Sequence, residues 1–230
     1  MFGPGAIFEN RHDAGRQLAA KLGEYSDRPV VVLAIPNGGV PVALEVARAI
    51  KGDFDLIVCR KIPMLFNPGG SLGAAANDGT VILNEEAVRN IGFSRKELEY
   101  EINKVRSEIK QRSLLYKLDR PIVRAGGKTV ILIDDGLASG STMMAAVESV
   151  RHRRPKEIVV AVPVASAMAV KRLEKVADRV VTCFTGFMPK FYVSDFYRYW
   201  LDLTDDDVIR YLKEWQMRQF RSVMRQPYEE

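Results

Sequence analysis

Two adjacent carboxylates lie between an apolar segment and a loop of small and hydroxyl-bearing residues. Residues 130–133 are apolar, and Asp134 and Asp135 follow them. The loop that then opens a predicted helix contains Ala138, Ser139, Gly140, Ser141 and Thr142. Such a loop binds anions, because a helix leaves its first N–H groups unsatisfied at the positive end of its dipole. The segment therefore predicts a phosphate site beside carboxylates that can accept hydrogen bonds from sugar hydroxyls.

The alternative for this segment is an ordinary turn between a strand and a helix. In that case Asp135 and Ser139 would serve only to form the turn and to cap the helix. Two adjacent acids beside a buried strand carry an electrostatic penalty that a bare turn does not require. We therefore favour a ligand site for a phosphorylated sugar.

A second anion-binding turn is predicted between the first strand and its helix. It contains Asn37, Gly38 and Gly39, and two successive glycines allow the backbone to approach a ligand closely. Arg60 and Lys61 lie at the end of the second predicted strand, and we expect Lys61 to face a ligand because a residue at the end of a strand tips toward the ligand side. The alternatives are a helix cap with a tight turn and solvated charges at a strand end.

Hydrophobic periodicity predicts strands and helices in alternation around these motifs. The expected strands cover residues 30–35, 55–60, 128–134, 157–162 and 179–184. The expected helices begin after Asn10, cover residues 39–50, 94–118 and 165–177, and begin again at Thr204. In the helix over 94–118, the inward stripe is expected to contain Ile102, Val105, Ile109 and Leu114. This alternation implies a mostly parallel sheet.

Residues 61–84 interrupt the alternation. They are rich in Gly, Pro and Asn, and the pattern around Asp78 and Gly79 predicts a hairpin. We expect this segment to project from the sheet as an arm that could close over a ligand.

Composition limits the class of protein. The chain has 230 residues, 47% of them hydrophobic, and a net charge of +5, which fits one α/β core with a small appendage. The basic residues are spread along the chain without a basic-aromatic module, so no nucleic-acid partner is expected. The sequence has neither a signal-peptide pattern nor an apolar run near the roughly 18 residues of a membrane span, which predicts a cytoplasmic protein without membrane contact. Cys59 and Cys183 lie in apolar segments and are expected to be buried thiols.

Residues 134–143 resemble the signature with which type I phosphoribosyltransferases bind 5-phosphoribosyl 1-pyrophosphate (PRPP). The resemblance is closest to an uncharacterised subfamily, and it extends in patches from Phe8 to Leu212. It implies an α/β fold of the type I phosphoribosyltransferase kind, with a five-stranded parallel sheet flanked by helices, a projecting arm and a C-terminal hood. Two positions differ from a pattern. Gly136 replaces the branched apolar residue usual in the wider family, although the subfamily also has glycine there, and Asn37 replaces the arginine usual in the subfamily.

The resemblance implies a role for each motif. Residues 138–142 would bind the 5-phosphate of PRPP. The pyrophosphate would contact Asn37, Gly38, Gly39, Arg60 and Lys61. The catalytic residues would be Asp134, Asp135 and Lys61, with a Mg2+ cofactor held mainly by PRPP and, through water, by the two aspartates. Displacing pyrophosphate builds opposite charges on the sugar and the leaving group, so catalysis needs placement and electrostatics more than a covalent nucleophile.

The implied hood would bind the acceptor. Phe187, Phe191 and Tyr192 could stack on a planar base, although aromatic residues between elements are as readily core residues. No general base is evident, so either a hood residue such as Asp195 assists or the nucleophile needs none. Residues 1–184 would form the phosphoribosyltransferase core, with the arm at about 61–84, and residues 185–230 the hood and its helix. A homodimer is expected, because dimers are common in the family.

The resemblance implies a Mg-dependent pentosyltransferase. It would move the 5-phosphoribosyl group of PRPP to a small nitrogenous acceptor, such as a nucleobase, and release pyrophosphate. The alternative is a catalytically inactive protein that senses PRPP or a nucleotide on the same fold, which the neutral Asn37 favours. A sugar-phosphate hydrolase is a third class, but it would need a nucleophilic aspartate with a different loop. The isolated His12 and His152 are expected at the surface or at helix ends.

Overall fold

Five parallel strands form the main sheet of the protein, which a computed structural model describes over residues 5–64, 67–116 and 123–224. In spatial order the strands are β2 (Asp53–Leu56), β1 (Val30–Ala34), β6 (Thr129–Ile133), β7 (Glu157–Ser166) and β8 (Arg179–Gly186). β1 and β6 are buried along their whole length, as in a sheet covered on both faces. The predicted five-stranded parallel α/β sheet is confirmed.

Helices cover both faces of this sheet. The core on one face contains residues of α1 (Arg11–Ala20), α2 (Gly39–Ile50), α4 (Arg95–Tyr116) and α7 (Asp205–Met224), and the core on the other face contains residues of α5 (Ser141–Arg151) and α6 (Ala167–Leu173). Side chains alternate along a strand, so Val30 and Val32 of β1 face the first group and Val31 and Leu33 the second. Within the described residues, no helix is both long and apolar enough to cross a lipid bilayer.

A second sheet lies beside the main one. It is antiparallel and contains β3 (Cys59–Met64), β4 (Asn67–Ala76) and β5 (Val81–Leu83), and the short helix α3 (Glu85–Ile91) follows it. The hairpin predicted around Asp78 and Gly79 connects β4 and β5. Leu72, Ala74 and Ala75 are buried where this sheet packs on α4 and α5. The arm is thus anchored to the core along β4.

Two predicted boundaries are wrong. The strand expected over residues 55–60 ends at Leu56, and Cys59 begins β3 in the other sheet. Ile57 and Val58 are buried where the chain passes from the first sheet to the second. The apolar run therefore continues beyond the end of β2, and hydrophobicity does not mark where that strand ends. The helix expected over residues 165–177 is α6, which begins after Ser166 and ends at Leu173. β7 extends to Ser166, whose hydroxyl oxygen accepts a hydrogen bond from the N–H of Ala169 and so begins the helix.

The helix expected over residues 94–118 is α4. It is described as far as Tyr116, and residues 117 and 118 lie outside the described residues. Ser94 and Glu97 cap it reciprocally, with the three-residue spacing of a capping box. Leu114 is 63% exposed and does not join the inward stripe, where Tyr116 is buried instead. Leu114 follows Ile109 by five residues, which places it about 140° away around the helix.

Candidate active site

Asp134 and Asp135, here called the acidic pair, lie at the carboxyl edge of the main sheet, directly after its central strand β6. The neighbouring β1 runs parallel to β6, so the turn of residues 36–39 lies beside the pair. An added methyl group at Gly38 would overlap the carboxylate of Asp135, and one at Gly39 would lie 2.8 Å from the carbonyl oxygen of Ile133. Only glycine therefore lets the turn pass so close. The two segments meet at the switch point of the strand order, where ligands bind in open α/β sheets.

Burial controls the charge of the two aspartates. Burial, together with the charge of Asp135, raises the pKa of Asp134 well above its usual value. The N–H of Asp135 donates to Oδ1 of Asp134 at 2.9 Å and only partly offsets this effect. Burial also raises the pKa of Asp135, and Arg11 acts against it. The pair is therefore electrostatically costly without a bound hydroxyl or cation.

Arg11 links Asp135 to the C-terminal segment, which comprises residues 187–204 between β8 and α7. Its Nε donates to Oδ2 of Asp135 at 2.8 Å, and its Nη1 donates to the carbonyl oxygen of Leu201 at 2.7 Å. The guanidinium carbon lies 3.8 Å from the centre of the Trp200 ring. The Tyr197 hydroxyl also donates to the carbonyl oxygen of Asp135, at 2.6 Å. These contacts fix the acidic pair between α1 and the segment that precedes α7.

The predicted phosphate loop leads directly into α5. Gly140 precedes the helix with φ of +75°, in the left-handed region that favours glycine. The hydroxyl oxygens of Ser139 and Ser141 lie 3.2 Å apart, and Thr142 is half-buried in the first turn of the helix. The loop therefore brings the N–H groups of a helix start together with three hydroxyls, which are the groups that bind phosphate.

Neighbouring strands support this loop from two sides. Ser166, at the end of β7, donates to the carbonyl oxygen of Ala138 at 2.6 Å. Ser71 of β4 donates to the hydroxyl oxygen of Ser141 at 3.4 Å, so the arm reaches the loop. An added methyl group at Gly136 would lie 2.5 Å from Cγ1 of Val193, which fills the space that a branched residue would need. The departure at Gly136 is thus matched by a side chain from the C-terminal segment.

The basic residues of β3 point in different directions. Arg60 donates to Oε2 of Glu108 on α4 at 3.3 Å. Lys61, one residue further, faces the opposite side, because side chains alternate along a strand. It is exposed, and its charge opposes the burial that raises the pKa of Asp134. Arg60 is therefore directed toward α4, whereas Lys61 lies on the opposite side of β3, where its charge acts on Asp134.

Asn37 contacts two helices through its side chain. Its Nδ2 donates to the carbonyl oxygen of Leu203 at 2.7 Å and to Oδ1 of Asp205 at 3.2 Å. Its Oδ1 accepts from Nη1 of Arg112 at 3.3 Å and lies 3.1 Å from the hydroxyl of Tyr116. Burial and the nearby Asp205 raise the pKa of Tyr116 above its usual value. The peptide bond between Pro36 and Asn37 is cis.

The aromatic residues predicted for the hood are not equivalent. Phe191 packs on Phe196 with ring centres 4.9 Å apart and belongs to an aromatic cluster with Phe8 and Tyr197. Phe187 and Tyr192 are 84% and 59% exposed. Phe191 is therefore placed as a core residue, whereas the other two are accessible to a ligand.

The remaining candidates for chemistry have structural partners. Nδ1 of His12 lies 2.9 Å from Glu45, and Nδ1 of His152 lies 3.1 Å from Asp78. Both cysteines are free. Cys59 is buried, but Cys183 is only half-buried because β8 is an edge strand, and burial raises its pKa to about 11. In the described part of the chain, no three or more His, Cys, Asp or Glu side chains are grouped to hold a metal.

Several residues at the site escape a sequence-based search. Arg11 and Tyr197 contact Asp135 from distant parts of the chain, Trp200 stacks on Arg11, and Arg112 reaches Asn37 from α4. No local motif marks these residues, because each is brought to the site only by packing between distant elements.

Comparisons with known proteins place the site in context. A family model described as a phosphoribosyl transferase domain matches residues 84–194, which include the acidic pair and the phosphate loop. The chain is 35% identical over 206 residues to MT0597 of Mycobacterium tuberculosis (strain CDC 1551 / Oshkosh), provisionally named a phosphoribosyl transferase; the match covers 90% of this chain and 46% of that protein. The same figures hold for Rv0571c of strain H37Rv. This chain thus spans about half the length of these curated relatives.

One solved structure matches this chain over nearly the whole length of both proteins. The protein TT1426 from Thermus thermophilus is 37% identical to it, and the match covers 90% of this chain and 98% of that one with a TM-score of 0.74. The resemblance therefore covers most of this chain and nearly all of that one.

Proposed function

Because the chain belongs to the type I phosphoribosyltransferase family, we propose that it transfers the 5-phosphoribosyl group of PRPP to a nitrogen nucleophile and releases pyrophosphate. One observation carries this proposal. One edge of the sheet brings together the acidic pair, the turn of residues 36–39 (the glycine turn) and the loop that opens α5. Gly38 and Gly39 pack directly against Asp134 and Asp135. Two anion-binding turns separated by carboxylates match a sugar with a phosphate at each end.

Each segment has a proposed role. Asp134 and Asp135 accept hydrogen bonds from the ribose hydroxyls, and residues 138–142 bind the 5-phosphate through N–H groups and hydroxyls. Residues 37–39 bind the pyrophosphate, with Lys61 as the nearby cation and Arg60 as a weaker candidate because it pairs with Glu108. The protein acts by holding the anomeric carbon in place while charge moves to the leaving group.

The acidic pair also fits a magnesium ion that arrives with PRPP. Mg2+ is bound in proteins by one or two carboxylates together with phosphate oxygens and water. Asp134 and Asp135 supply two carboxylates, and a cation beside them would favour the charged form of Asp134, whose pKa is raised by burial and by the neighbouring Asp135. When bound, Mg2+ would neutralise the departing pyrophosphate.

The acceptor is proposed to bind beneath the C-terminal segment. Phe187 and Tyr192 are exposed and can stack on a planar base, whereas Phe191 supports the segment from the aromatic cluster. We propose residues 185–230 as a hood on the core of residues 1–184, and a homodimer as the assembly. Asp195 is a candidate for the group that accepts a proton from the incoming nitrogen.

Turnover tests the proposal. The purified protein is mixed with PRPP, Mg2+ and one member of a panel of purines, pyrimidines and simple amines, and pyrophosphate release is followed. We expect one acceptor class to release pyrophosphate at a rate that depends on Mg2+. PRPP binding without turnover by any acceptor would favour the sensor, which the neutral Asn37 in the pyrophosphate turn supports.

A further inference from the structure

Three donor groups, two from α4 and one from the turn of residues 36–39, converge on a single carboxylate oxygen. Oδ1 of Asp205 lies 2.5 Å from the hydroxyl of Tyr116, 3.2 Å from Nδ2 of Asn37 and 3.5 Å from Nη2 of Arg112. Tyr116 is buried, and the side chains of Arg112 and Asp205 are 26% and 30% exposed. An anionic oxygen therefore occupies a partly enclosed set of donors next to the turn of residues 36–39.

Helix capping does not explain the position of Asp205. α7 begins with a reciprocal cap, in which Asp207 accepts from the N–H of Thr204 at 2.9 Å and Thr204 accepts from the N–H of Asp207 at 3.2 Å. This cap satisfies the helix start that an N-terminal acid commonly serves. The carboxylate of Asp205 is directed instead at the side chains of Asn37, Arg112 and Tyr116.

We propose that Asn37, Arg112 and Tyr116 form an anion subsite at the pyrophosphate end of the active site, and that Asp205 fills it in the ligand-free protein as a built-in competitor. This inference rests on the proposed function. A pyrophosphate oxygen that replaces the Asp205 carboxylate takes over the same donors, and such charge-assisted hydrogen bonds are the strong ones. Arg112 then supplies, from α4, the positive charge that Asn37 does not carry.

Asp205 thus controls the access of pyrophosphate groups to the anion subsite. While Asp205 holds the three donors, α7 is linked to the glycine turn through Asn37. Ligands with a pyrophosphate group must displace Asp205, whereas ligands that contact only the acidic pair and the phosphate loop need not. The subsite therefore favours PRPP over ribose 5-phosphate only after α7 releases the turn.

Two substitutions should change pyrophosphate affinity in opposite directions if these residues form an anion subsite, whereas a purely structural contact would not produce that pattern. Inorganic pyrophosphate, PRPP and ribose 5-phosphate are titrated calorimetrically, with Mg2+, into wild type, Asp205→Ala and Arg112→Gln. Asp205→Ala is expected to bind pyrophosphate and PRPP about three- to tenfold more tightly, and Arg112→Gln about tenfold more weakly, since a hydrogen bond to a charged group is worth about a factor of ten. Ribose 5-phosphate affinity should not change in either variant.

Two matched variants control for charge alone. Asp206→Ala removes an exposed carboxylate one residue away, and Arg95→Gln removes an exposed arginine at the other end of α4, so neither should change pyrophosphate affinity. Asp205→Asn keeps an acceptor without the charge, and it replaces Asp205→Ala as the deciding variant if that protein does not fold.

The outcomes separate the two proposals. If Asp205→Ala binds pyrophosphate as wild type does, or more weakly, Asp205 does not compete and the inference is overturned. If Arg112→Gln binds pyrophosphate like Arg95→Gln, the subsite lacks its cation and the inference is overturned as well. A wild-type protein that binds pyrophosphate but neither PRPP nor ribose 5-phosphate would instead overturn the proposed function.

Discussion

Asp134 lowers the stability of the folded protein at neutral pH, so its presence points to a role in binding a ligand. Burial and the neighbouring Asp135 raise its pKa well above the ordinary value of 3.8. The folded protein therefore binds the proton of this carboxyl more tightly than the unfolded chain does. The resulting stabilisation is present below the ordinary pKa and is lost as the pH rises through the raised pKa. At neutral pH this carboxyl therefore lowers the stability of the fold, and a ligand that favours its charged form would relieve the cost.

We expect Asp134→Asn to stabilise the protein at pH 7 and to impair PRPP binding. The amide removes the buried charge and can still accept from the N–H of Asp135. A gain of 1 kcal/mol would raise Tm by about 2–4 °C in a chain of this size. Thermal unfolding from pH 4 to pH 8 measures the effect, with Asp206→Asn as the exposed control. The gain should shrink toward pH 4; a gain that is the same at every pH would contradict burial as its cause.

Gly38 tests how closely the glycine turn approaches the acidic pair. Gly38→Ala would place a methyl group against the Asp135 carboxylate. We expect it to displace that side chain, to cost about 1–3 kcal/mol of folding free energy as an overpacked contact, and to weaken PRPP binding strongly. Chemical unfolding and PRPP titration measure both effects. Gly23→Ala is the control, because nothing lies within 4 Å of an added methyl group there. Equal behaviour of the two variants would refute the close approach.

At the scale of elements, the C-terminal segment packs on the loop that carries the acidic pair. Val193 and Val164 fill the space beside Gly136. We expect Gly136→Ala to cost about 1–3 kcal/mol and the double variant Gly136→Ala/Val193→Ala to recover part of that cost, because shortening Val193 makes room for the new methyl group. A double-mutant cycle by chemical unfolding measures the coupling. Strict additivity would mean that Val193 does not contact the loop in solution.

Local patterns predict the elements where one physical signal dominates. The apolar strands β1 and β6 and the reciprocal cap of Ser94 and Glu97 follow from residue type and spacing alone. The crossing at Ile57 and Val58 does not, because both residues are buried and look like a continuing strand. The short helix α3 also escaped prediction. Elements are thus predictable where burial and local geometry agree.

At the scale of the whole molecule, the two ends of the chain close one side of the site. Ile7 and Phe8 donate backbone hydrogen bonds to the carbonyl oxygen of Phe196, and Arg198 donates to that of Phe8. Arg11 and Tyr197 extend this contact to Asp135. The sequence indicated the anion loops and the carboxylates, whose chemistry is local. It could not indicate the partners of Asp135 and Asn37, which depend on the tertiary fold.

The central claim is that the acidic pair and the loop before α5 together bind PRPP. The most direct test is calorimetric titration of PRPP with Mg2+ into wild type and into the double variant Asp135→Asn/Thr142→Ala. The asparagine oxygen can still accept from Arg11, so the variant should fold, which circular dichroism checks. The structure predicts PRPP binding by wild type and by Asp206→Asn, and none by the double variant. Unchanged PRPP affinity in the folded double variant would contradict the account.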